Sequence, residues 1–383
     1  MTKTVLHVHQ DYPDGVYQYP YTKAVSNLVH AVEKSHPEYK HYVISINRTA
    51  NPFKVKWQPF DGGMAFVYWG IPFQFMHFIT LWLATLLIRF AIRGQHFDLV
   101  HSHKLTTEGF IGAALAKVKK CPHFISIRGG SDCYNLKRFA RFSSFYQPIY
   151  QNAKQIFWVS PWAAPIVQSS VAVETQPMLL FPNICEIDLE SHYSSKQHQS
   201  DRFISVISYD QYERKGFLQL LEAMSQLKEQ GVYATLDIYG YGSQHVFEML
   251  KTLIKNANIH DRVFLKGRLS QAELRSEMSQ SIAMVLPSMN ETFGMSYIEA
   301  LSVGCPIMYM ADTGVDGFFS NYNIGVKLNS QASSEIKDGL LNLIQNQSVF
   351  QHGLQQMQKD QYLKLFTADT LVNRYMSELK RFI

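Results

Sequence analysis

Two carboxylates and a glycine between them mark residues 290–300 as the stretch of this sequence best suited to chemistry. Glu291 and Glu299 lie eight positions apart, and Gly294 lies between them. An apolar run precedes this stretch and a helix-like run follows it, which is typical of a buried strand, a loop and a short helix. The first N–H groups of such a helix lack partners within it and suit a phosphate. The pattern predicts a phosphate site beside two carboxylates that can accept hydrogen bonds from sugar hydroxyls.

A pair of cations, Arg214 and Lys215, stands before Gly216 at the start of a predicted helix. Two positive charges at the end of a strand can neutralise a diphosphate leaving group. A solvated basic pair at a helix start is the ordinary alternative. Further along the chain, Gly267 and Arg268 follow another predicted strand, and a glycine without Cβ lets a flat base approach the backbone.

The first half of the chain has its own polar residues at predicted strand ends. Asp14 and Gly15 follow the first strand, while Arg128 and Asp132 flank a Gly-Gly turn after a later one. Ligands of parallel sheets bind at the carboxyl ends of strands, so a substrate site is predicted there. A guanidinium–carboxylate pair that braces the turn is the alternative for Arg128 and Asp132.

His101 and His103 form a His-x-His pair in the first half. Such a pair can begin a metal site, but the spacing along the chain supplies no third ligand, so no metal site is predicted. We expect His101 to be structural and His103 to lie on the substrate side.

The composition is that of a globular protein of 383 residues, with 46% hydrophobic and 17% charged residues. This length indicates two domains, and the low charge content argues against disorder. The four cysteines have no metal-ligand spacing, and a reducing compartment is expected. The basic excess lies in the first half: residues 1–195 hold 18 Lys/Arg and 12 Asp/Glu, against 18 and 19 in residues 196–383. No nucleic-acid motif accompanies this excess, so no nucleic-acid partner is expected.

Strand-like and helix-like runs alternate along both halves, which predicts α/β domains with parallel sheets and helices on both faces. A polar stretch without periodicity over residues 186–202 interrupts the series and indicates a linker. We therefore predict a first Rossmann-like domain over residues 1–190, a second over 201–367 and a last helix over 368–383. The two domains are expected to face each other across a cleft.

Residues 62–88 contain no Asp, Glu, Lys or Arg. A membrane-spanning helix needs about 20 apolar residues, and this stretch nearly reaches that length. The first interpretation is a partly buried domain helix over residues 72–93, because the alternating pattern continues on both sides. The second is a helix that also enters the membrane surface, supported by Arg89 and Arg93. A true membrane span is the third.

The motif around the two carboxylates resembles that of the retaining glycosyltransferases of family 4, which are group 1 glycosyl transferases with the GT-B fold. It consists of Glu291, seven residues and Glu299, within the segment 287–307. The basic pair before Gly216 agrees with the family in order and spacing. The resemblance covers nearly the full length and is weakest between residues 50 and 95.

The resemblance implies a role for each candidate residue. Lys215 would stabilise the departing diphosphate, Glu291 would contact the donor sugar, and Glu299 would bind the nucleotide ribose. Further donor contacts would come from Arg214, Gly267 and Arg268 and from the backbone of Phe293, Gly294 and Met295. Further catalytic contributions would come from Arg128 and Asp132, and acceptor contacts from Asp14, Gly15 and His103.

The same resemblance implies the reaction type. A sugar would move by front-face displacement with retained anomeric configuration. Neither a cofactor nor a metal is expected, because lysine and arginine would neutralise the diphosphate. The last helix would cross back onto the first domain.

Three departures from the family pattern bear on the phosphate clamp and on the acceptor. Many members carry a Gly-Arg pair where this chain has Ser208 and Tyr209, so one phosphate cation is missing, and Arg214 is the candidate substitute. Many members carry His where this chain has Arg128. The first loop lacks the common Gly-Gly and has Gly15 alone.

The leading hypothesis is an enzyme that moves a hexose-type sugar from a nucleotide diphosphate sugar to a glycan or lipid-linked glycan in surface polysaccharide synthesis. A non-catalytic nucleotide-sugar or glycan-binding protein is the alternative, supported by Tyr209. A nicotinamide-dependent oxidoreductase is disfavoured, since no dinucleotide fingerprint follows either first strand. The first residues show no secretory pattern, so a cytoplasmic protein is expected, with peripheral contact to the anionic inner face of the cell membrane as a further expectation.

Overall fold

A computed structural model describes residues 2–16, 23–71, 74–174, 178–187, 189 and 201–383, without the side chains of residues 74 and 75. The chain forms two compact units. Met1–Ile184 and Ala368–Ile383 make up the first unit, and Cys185–Thr367 make up the second. The sequence analysis placed the division between residues 190 and 201, whereas the first unit ends at Ile184. Most of the predicted linker, residues 190–200, lies outside the described residues.

The described part of the first unit contains one sheet. Its strands are β1 (Lys3–His9), β2 (Tyr39–Thr49), β3 (Lys56–Phe60), β4 (Gly63–Trp69), β5 (Leu99–Ser102), β6 (His123–Ile127), β7 (Gln155–Trp158) and β8 (Leu179–Leu180). They follow the order β3-β4-β2-β1-β5-β6-β7-β8, and every neighbouring pair is parallel except β3 with β4. The strand order changes direction at β1, so the loops after β1 and β5 border the place where such sheets bind ligands.

Helices cover both faces of this sheet. They are α1 (Ala24–Ser35), α2 (Gln74–Ala91), α3 (Thr107–Lys119), α4 (Gly130–Arg138), α5 (Gln147–Asn152) and α6 (Ala163–Ser170). Side chains alternate along a strand, so Leu6 of β1 packs in one cluster with Leu81 and Ile88 of α2, whereas Val5 packs in another with Leu28 of α1. Both faces of the sheet are therefore buried.

The predicted helix over residues 72–93 corresponds to α2, and residues 72–73 lie outside the described part. One side of α2 packs on the sheet through Leu81 and Ile88, while Trp82 and Phe90 on the other side are exposed. Among the described residues, no helix is long and apolar enough to cross a bilayer.

The second unit contains a fully parallel sheet among its described residues. Its strands are β9 (Arg202–Ser208), β10 (Thr235–Tyr241), β11 (Val263–Gly267), β12 (Ala283–Val285), β13 (Ile307–Met310) and β14 (Gly325–Leu328). They follow the order β11-β10-β9-β12-β13-β14. The order changes direction between β9 and β12, so the loops after these two strands meet at the ligand-binding edge.

The second unit also contains helices. They are α7 (Phe217–Glu229), α8 (Gln244–Asn256), α9 (Gln271–Ser279), α10 (Met295–Ser302), α11 (Ser333–Gln345) and α12 (Gln347–Lys359). Of these, α7 to α10 connect successive strands, and α11 and α12 follow the last strand. Both units are thus α/β folds with Rossmann-like parallel sheets, as the sequence predicts.

The last helix, α13 (Ala368–Phe382), returns to the first unit. Its buried side chains include Leu371, Tyr375 and Leu379, which pack in the cluster that contains Val5. The Tyr375 hydroxyl forms a 2.9 Å hydrogen bond with Nδ1 of His101 on β5. The C-terminal residues therefore complete one face of the first sheet.

Candidate active site

The two chemical motifs of the second unit are neighbours because their strands are neighbours. β9 and β12 pair in parallel with Ile204 opposite Met284. Arg214 and Lys215 follow β9, and Glu291 follows β12. Residues that are 76 positions apart in the chain therefore meet at one edge of the sheet.

The Glu291 carboxylate is the centre of this meeting point. Its Oε1 accepts hydrogen bonds from Lys215 Nζ and, at 2.9 Å, from Ser288 Oγ. Nη1 of Arg214 lies 3.3 Å from the same oxygen. Burial alone would raise the pKa of the Glu291 carboxyl, but the charges of Lys215 and Arg214 outweigh it, and the pKa lies below its ordinary value. Glu291 is therefore an anion held by two cations.

Gly216 allows the two loops to approach each other. Its φ is +71°, and a Cβ at this position would lie 2.5 Å from the carbonyl oxygen of Pro287. Any larger residue would push the basic pair away from the loop that carries Glu291. The glycine next to Lys215 is therefore required by packing as well as by backbone conformation.

The loop between Glu291 and α10 is fixed by its backbone. The carbonyl oxygen of Glu291 accepts bonds from Thr313 Oγ1 at 2.7 Å and from Gly314 N–H at 2.8 Å. The Phe293 side chain is buried. Gly294 adopts φ +77° directly before Met295, the first residue of α10. The predicted strand, loop and helix N-terminus are thus present, with the first N–H groups of α10 at the carboxyl edge of the sheet.

Glu299 lies within α10 and is buried. Burial raises the pKa of its carboxyl group; Arg275 opposes this rise and Glu186 adds to it. A carboxyl group with a raised pKa gains from a hydrogen-bond donor such as a hydroxyl. Glu291 and Glu299 therefore differ in electrostatic setting, since Glu291 is in direct contact with Arg214 and Lys215 and has a lowered pKa, whereas the pKa of Glu299 is raised.

Gly267 and Arg268 follow β11 as predicted. Gly267 has φ +77°, and no atom of the described part of the chain lies within 4 Å of a Cβ placed there, so that part leaves space beside it. Its N–H donates to the Tyr209 hydroxyl at 3.2 Å. The Arg268 guanidinium lies 5.1 Å from the centre of the Tyr241 ring.

The predicted acceptor-side residues lie at the carboxyl edge of the first sheet. The Asp14 carboxylate accepts bonds from Ser45 Oγ at 2.7 Å and from Val16 N–H at 2.9 Å. Gly15 follows with φ +70°, and among the described residues no atom lies within 4 Å of a Cβ placed there. This first loop is therefore held to β2 through its aspartate.

Arg128 and Asp132 have separate partners, which differs from the bracing pair considered above. Arg128 Nη2 donates to Asn183 at 2.7 Å, and Asp132 accepts from the N–H and Oγ1 of Thr106, both at 3.0 Å. Burial lowers the pKa of Arg128 to about 10, so it stays charged at neutral pH. Burial also raises the pKa of Asp132 to about 6, although bonds from Thr106 oppose this.

The histidine pair of the first unit belongs to a larger buried cluster. His7 on β1 lies opposite His101 on β5, and ring nitrogens of His7, His101 and His103 lie within 4.8 Å of one another. His7 shares short contacts with His103 at 2.9 Å and with His41 at 2.7 Å. His101 contacts Ser126 as well as Tyr375, which agrees with a structural role. His103 is buried and contacts His7, so its ring is not presented to solvent.

Comparison with known proteins supports the interpretation of the second unit as a glycosyltransferase domain. Residues 191–361 match the family model of the glycosyl transferases group 1. The match spans 171 of the 383 residues, so it shows a likeness to this family over the second unit. A 258-residue region is 21% identical to an uncharacterized glycosyltransferase of Methanocaldococcus jannaschii and covers 67% of this chain and 68% of the relative.

Another relative matches over a shorter region. The amylovoran biosynthesis glycosyltransferase AmsK of Erwinia amylovora is 31% identical over 124 residues. This region covers 31% of the present chain and only 30% of AmsK. The similarity is therefore limited to the matched region and does not extend to the whole of AmsK.

Solved structures show that the whole chain has the GT-B fold. Sucrose-phosphate synthase of Thermosynechococcus elongatus superimposes with a TM-score of 0.71 at 16% identity, over 99% of this chain and 98% of that one. HepE of Anabaena, solved in complex with UDP, has a TM-score of 0.69 at 13% identity, over 100% of both chains. At these identities the likeness concerns the fold alone.

Some residues of the site were not singled out by the sequence. Ser288 and Thr313 both hold Glu291, one through its carboxylate and the other through its carbonyl oxygen. Thr313 follows β13, the neighbour of β12, so the rule that strand ends meet at one edge could have indicated it. For Ser288, the only signal in the sequence was its position three residues before Glu291.

Proposed function

We propose that this group 1 glycosyltransferase moves a hexose-type sugar from a nucleotide diphosphate sugar to a glycan or lipid-linked glycan, with retention of anomeric configuration. The contact of Lys215 and Arg214 with Glu291, beside the N-terminus of α10, is the observation that carries the proposal. It joins cations for a diphosphate and an acceptor for a sugar hydroxyl in one place.

In the proposed reaction the second unit binds the donor. The donor's diphosphate accepts hydrogen bonds from the N–H groups at the start of α10. The side chain of Lys215 then moves from Glu291 towards the leaving oxygen of the diphosphate. The bond between the anomeric carbon and the diphosphate oxygen breaks, the acceptor oxygen bonds to the same face of that carbon, and the proton of the acceptor hydroxyl passes to the leaving diphosphate. Glu299 holds the ribose, and Gly267 and Arg268 border the base. The cations take the charge of the leaving group, so the reaction needs no added Mg²⁺ or Mn²⁺.

Relatives support the substrate classes of this proposal. AmsK takes part in amylovoran biosynthesis, and HepE has been solved in complex with UDP. A nucleotide sugar and a surface polysaccharide precursor are accordingly our proposed donor and acceptor classes. We propose that Asp14 and Gly15 serve the acceptor and that Arg128 and Asp132 assist the reaction, whereas the buried His103 is not included among the acceptor residues. A cytoplasmic location with peripheral membrane contact belongs to the same proposal.

Substitution of the central ion pair tests the proposal. A screen of nucleotide sugars by thermal shift first identifies a donor that stabilises the protein. With that donor, Lys215→Ala and Glu291→Ala are each expected to lower the transfer rate on the order of 100-fold or more, because each removes a charge beside the reacting groups. Nuclear magnetic resonance of the product then reports the anomeric configuration, and addition of a chelator reports metal dependence.

An ion pair elsewhere in the same unit provides the control. Lys228 Nζ lies 2.8 Å from Asp261, near the surface. Lys228→Ala is expected to leave transfer unchanged. Full turnover in both Lys215→Ala and Glu291→Ala would refute the site. Tight nucleotide binding without transfer to any glycan would favour the alternative, a binding protein, which the tyrosine at position 209 supports.

A further inference from the structure

The helix α2 is apolar on both of its sides. Its inner side is buried against the first sheet through Leu81 and Ile88. Its outer side exposes large apolar side chains, of which Trp82 is 54% and Phe90 is 65% accessible to solvent. Leu83, Leu86 and Leu87 are exposed with them. The spacing of these five residues places them along one side of the helix. An apolar surface of this extent marks an interaction site.

The charged side chains beside this apolar surface are basic. Neither α2 nor α3 has an exposed acidic side chain. α2 carries Arg89 near its end and contains no Asp or Glu, and Arg93 follows it. The neighbouring helix α3 adds Lys117, Lys119 and Lys120 at its C-terminal end. The single acid of α3, Glu108, is fully buried. The surface formed by these two helices, which we call the α2–α3 surface, is therefore both apolar and positive.

A groove on the α2–α3 surface combines the two properties. It has a volume of about 350 Å³ and is lined by Leu86, Arg89, Phe90, Arg93, Leu115, Val118 and Lys119. The Arg93 guanidinium lies over the Phe90 ring at 4.4 Å, and Lys119 is held by the carbonyl oxygen of Ile92 at 2.8 Å. Apolar walls beside guanidinium groups suit an acyl chain that ends in a phosphate.

We propose that the α2–α3 surface docks the protein on a bilayer of anionic phospholipid. The exposed outer side of α2 enters the boundary between headgroups and acyl chains, and the arginines and lysines of the α2–α3 surface contact the lipid phosphates. The proposal deepens the proposed function, because a lipid-linked acceptor would be presented at such a membrane. It names the part of the first unit that meets the lipid.

A second copy of this chain fits the surface less well. A symmetric dimer through the α2–α3 surface would bring each cluster of cations against its own copy. No exposed acid on either helix would compensate for this repulsion. A lipid phosphate layer supplies the missing negative charge, so the membrane is the occupant to which the proposal commits.

Sedimentation with vesicles tests the proposal on the full chain. We compare vesicles of phosphatidylcholine alone with vesicles of phosphatidylcholine and phosphatidylglycerol in equal amounts. The protein is expected to sediment with the second kind and to be released as salt is raised, since salt screens the lysine and arginine charges. Binding that is absent, or equal on both kinds of vesicle, would overturn the proposal.

Two variants separate the charge from the apolar contact. Arg89→Gln with Arg93→Gln is expected to weaken the vesicle binding constant about five-fold for each cation removed. Leu83→Ser with Leu87→Ser removes two exposed apolar side chains and is expected to abolish binding while the fold is kept. Circular dichroism checks the fold of each variant.

The matched control is a pair of cations on the second unit. Lys251 and Lys255 are exposed on α8 and, like Arg89 and Arg93, lie four positions apart. Lys251→Gln with Lys255→Gln is expected to leave vesicle binding unchanged. If the control weakens binding as much as the α2 pair, attraction is general and the proposed surface is wrong.

Two further measurements distinguish other outcomes. If the wild type does not bind vesicles and forms a dimer that Leu83→Ser with Leu87→Ser dissociates, the surface belongs to a second copy and the proposal is overturned. Vesicle binding by Lys215→Ala separates this inference from the proposed function. That variant is expected to lose transfer and keep membrane binding, so either property can fail without the other.

Discussion

At the scale of single residues, Tyr209 joins two strands of the second sheet. Its hydroxyl donates to the carbonyl oxygen of Ile238 on β10 at 3.3 Å and accepts from Gly267 N–H of β11 at 3.2 Å. The residue is buried. At the position where the family resemblance predicts a phosphate-binding arginine, this chain has a tyrosine that hydrogen-bonds to two strands. Arg214, at 3.3 Å from Glu291, supports the proposal that the missing cation is replaced from five residues further along the same β9–α7 loop.

Removal of that hydroxyl is expected to destabilise the second unit. Tyr209→Phe removes two hydrogen bonds, one to the Ile238 carbonyl oxygen and one from the Gly267 N–H group, which costs about 1–3 kcal/mol of the free energy of unfolding at about 0.5–1.5 kcal/mol for each bond. Urea denaturation followed by far-ultraviolet circular dichroism measures the change. Tyr233→Phe removes an exposed hydroxyl and is expected to change little. Equal effects of the two substitutions would contradict the structural role of Tyr209.

At the scale of elements, the start of α10 depends on one glycine. Gly294 has φ +77°, and a Cβ there would lie 2.4 Å from the ring of Tyr297. That ring is buried, and its hydroxyl donates to the carbonyl oxygen of Leu286 at 2.7 Å. The ring therefore has no free direction in which to move, and the shape of the proposed phosphate site is tied to this contact.

Two glycine substitutions separate steric clash from backbone strain. Gly231 has φ +74°, similar to Gly294, but a Cβ there would meet nothing within 4 Å. Gly231→Ala is expected to cost about 1–2 kcal/mol from the left-handed conformation alone. Gly294→Ala adds the clash with Tyr297, so it should cost more and weaken nucleotide binding. Denaturant unfolding and nucleotide thermal shifts measure both effects, and equal losses would contradict the clash.

At the scale of the whole molecule, the first unit is built around neutral histidines. Six of them lie buried in or beside its sheet: His7, His9, His41, His101, His103 and His123. Burial lowers the pKa of each one, to about 4 for His41 and about 3 for His123. The ordinary value is about 6.5, so the folded unit keeps these rings uncharged where an unfolded chain would protonate them.

Acid is therefore expected to unfold the first unit. A histidine whose folded pKa is lowered contributes its full stability above pH 6.5 and loses it as the pH falls towards the folded value. At pH 5.5, below the ordinary histidine pKa of about 6.5, each ring that stays neutral costs on the order of 1 kcal/mol, so several together are a large part of the stability of a typical domain. Asp132 acts in the opposite direction, since its raised pKa favours the folded state in acid, but it is one group.

Tryptophan fluorescence measures this effect for the first unit alone. All five tryptophans lie between residues 57 and 162, within the first unit. Their thermal transition is expected to fall steeply between pH 7.5 and pH 5.5, and His123→Gln should reduce that pH dependence by one group. His96→Gln, at a side chain 84% exposed, should not change it. A transition independent of pH would contradict the buried neutral state.

Much of the fold and the centre of the site could be predicted from the sequence, because the signals are local. Alternating runs predicted two α/β units, and the segment around Glu291 and Glu299 indicated the family whose model residues 191–361 match. Lys215 could be paired with Glu291 because strand ends of a parallel sheet share one edge. The roles proposed for these residues stay predictions until activity is measured.

Other features could not be predicted, because they depend on the register and on the neighbours of each strand. His7 meets His101 only because β1 and β5 pair at that position. The sequence analysis ended the first domain at residue 190, six residues after the first unit ends at Ile184. The residues that follow β8 have no clear hydrophobic periodicity, so their sequence does not mark the boundary. For α2, the sequence left open whether its apolar length was buried, exposed or embedded in a membrane, since hydropathy does not tell which side faces the sheet.

The sequence by itself determined the class of fold and the reactive motif, since hydrophobic period and residue spacing act over a few neighbouring positions. Only the tertiary structure decided which side chains are buried, which histidines touch, and that a tyrosine ties strands where an arginine was expected. Burial and contact are set by segments far apart in the chain, and these set the charge state of each group. The reactive motif is thus specified by residues close together in the sequence, while the charge state of each group depends on tertiary packing.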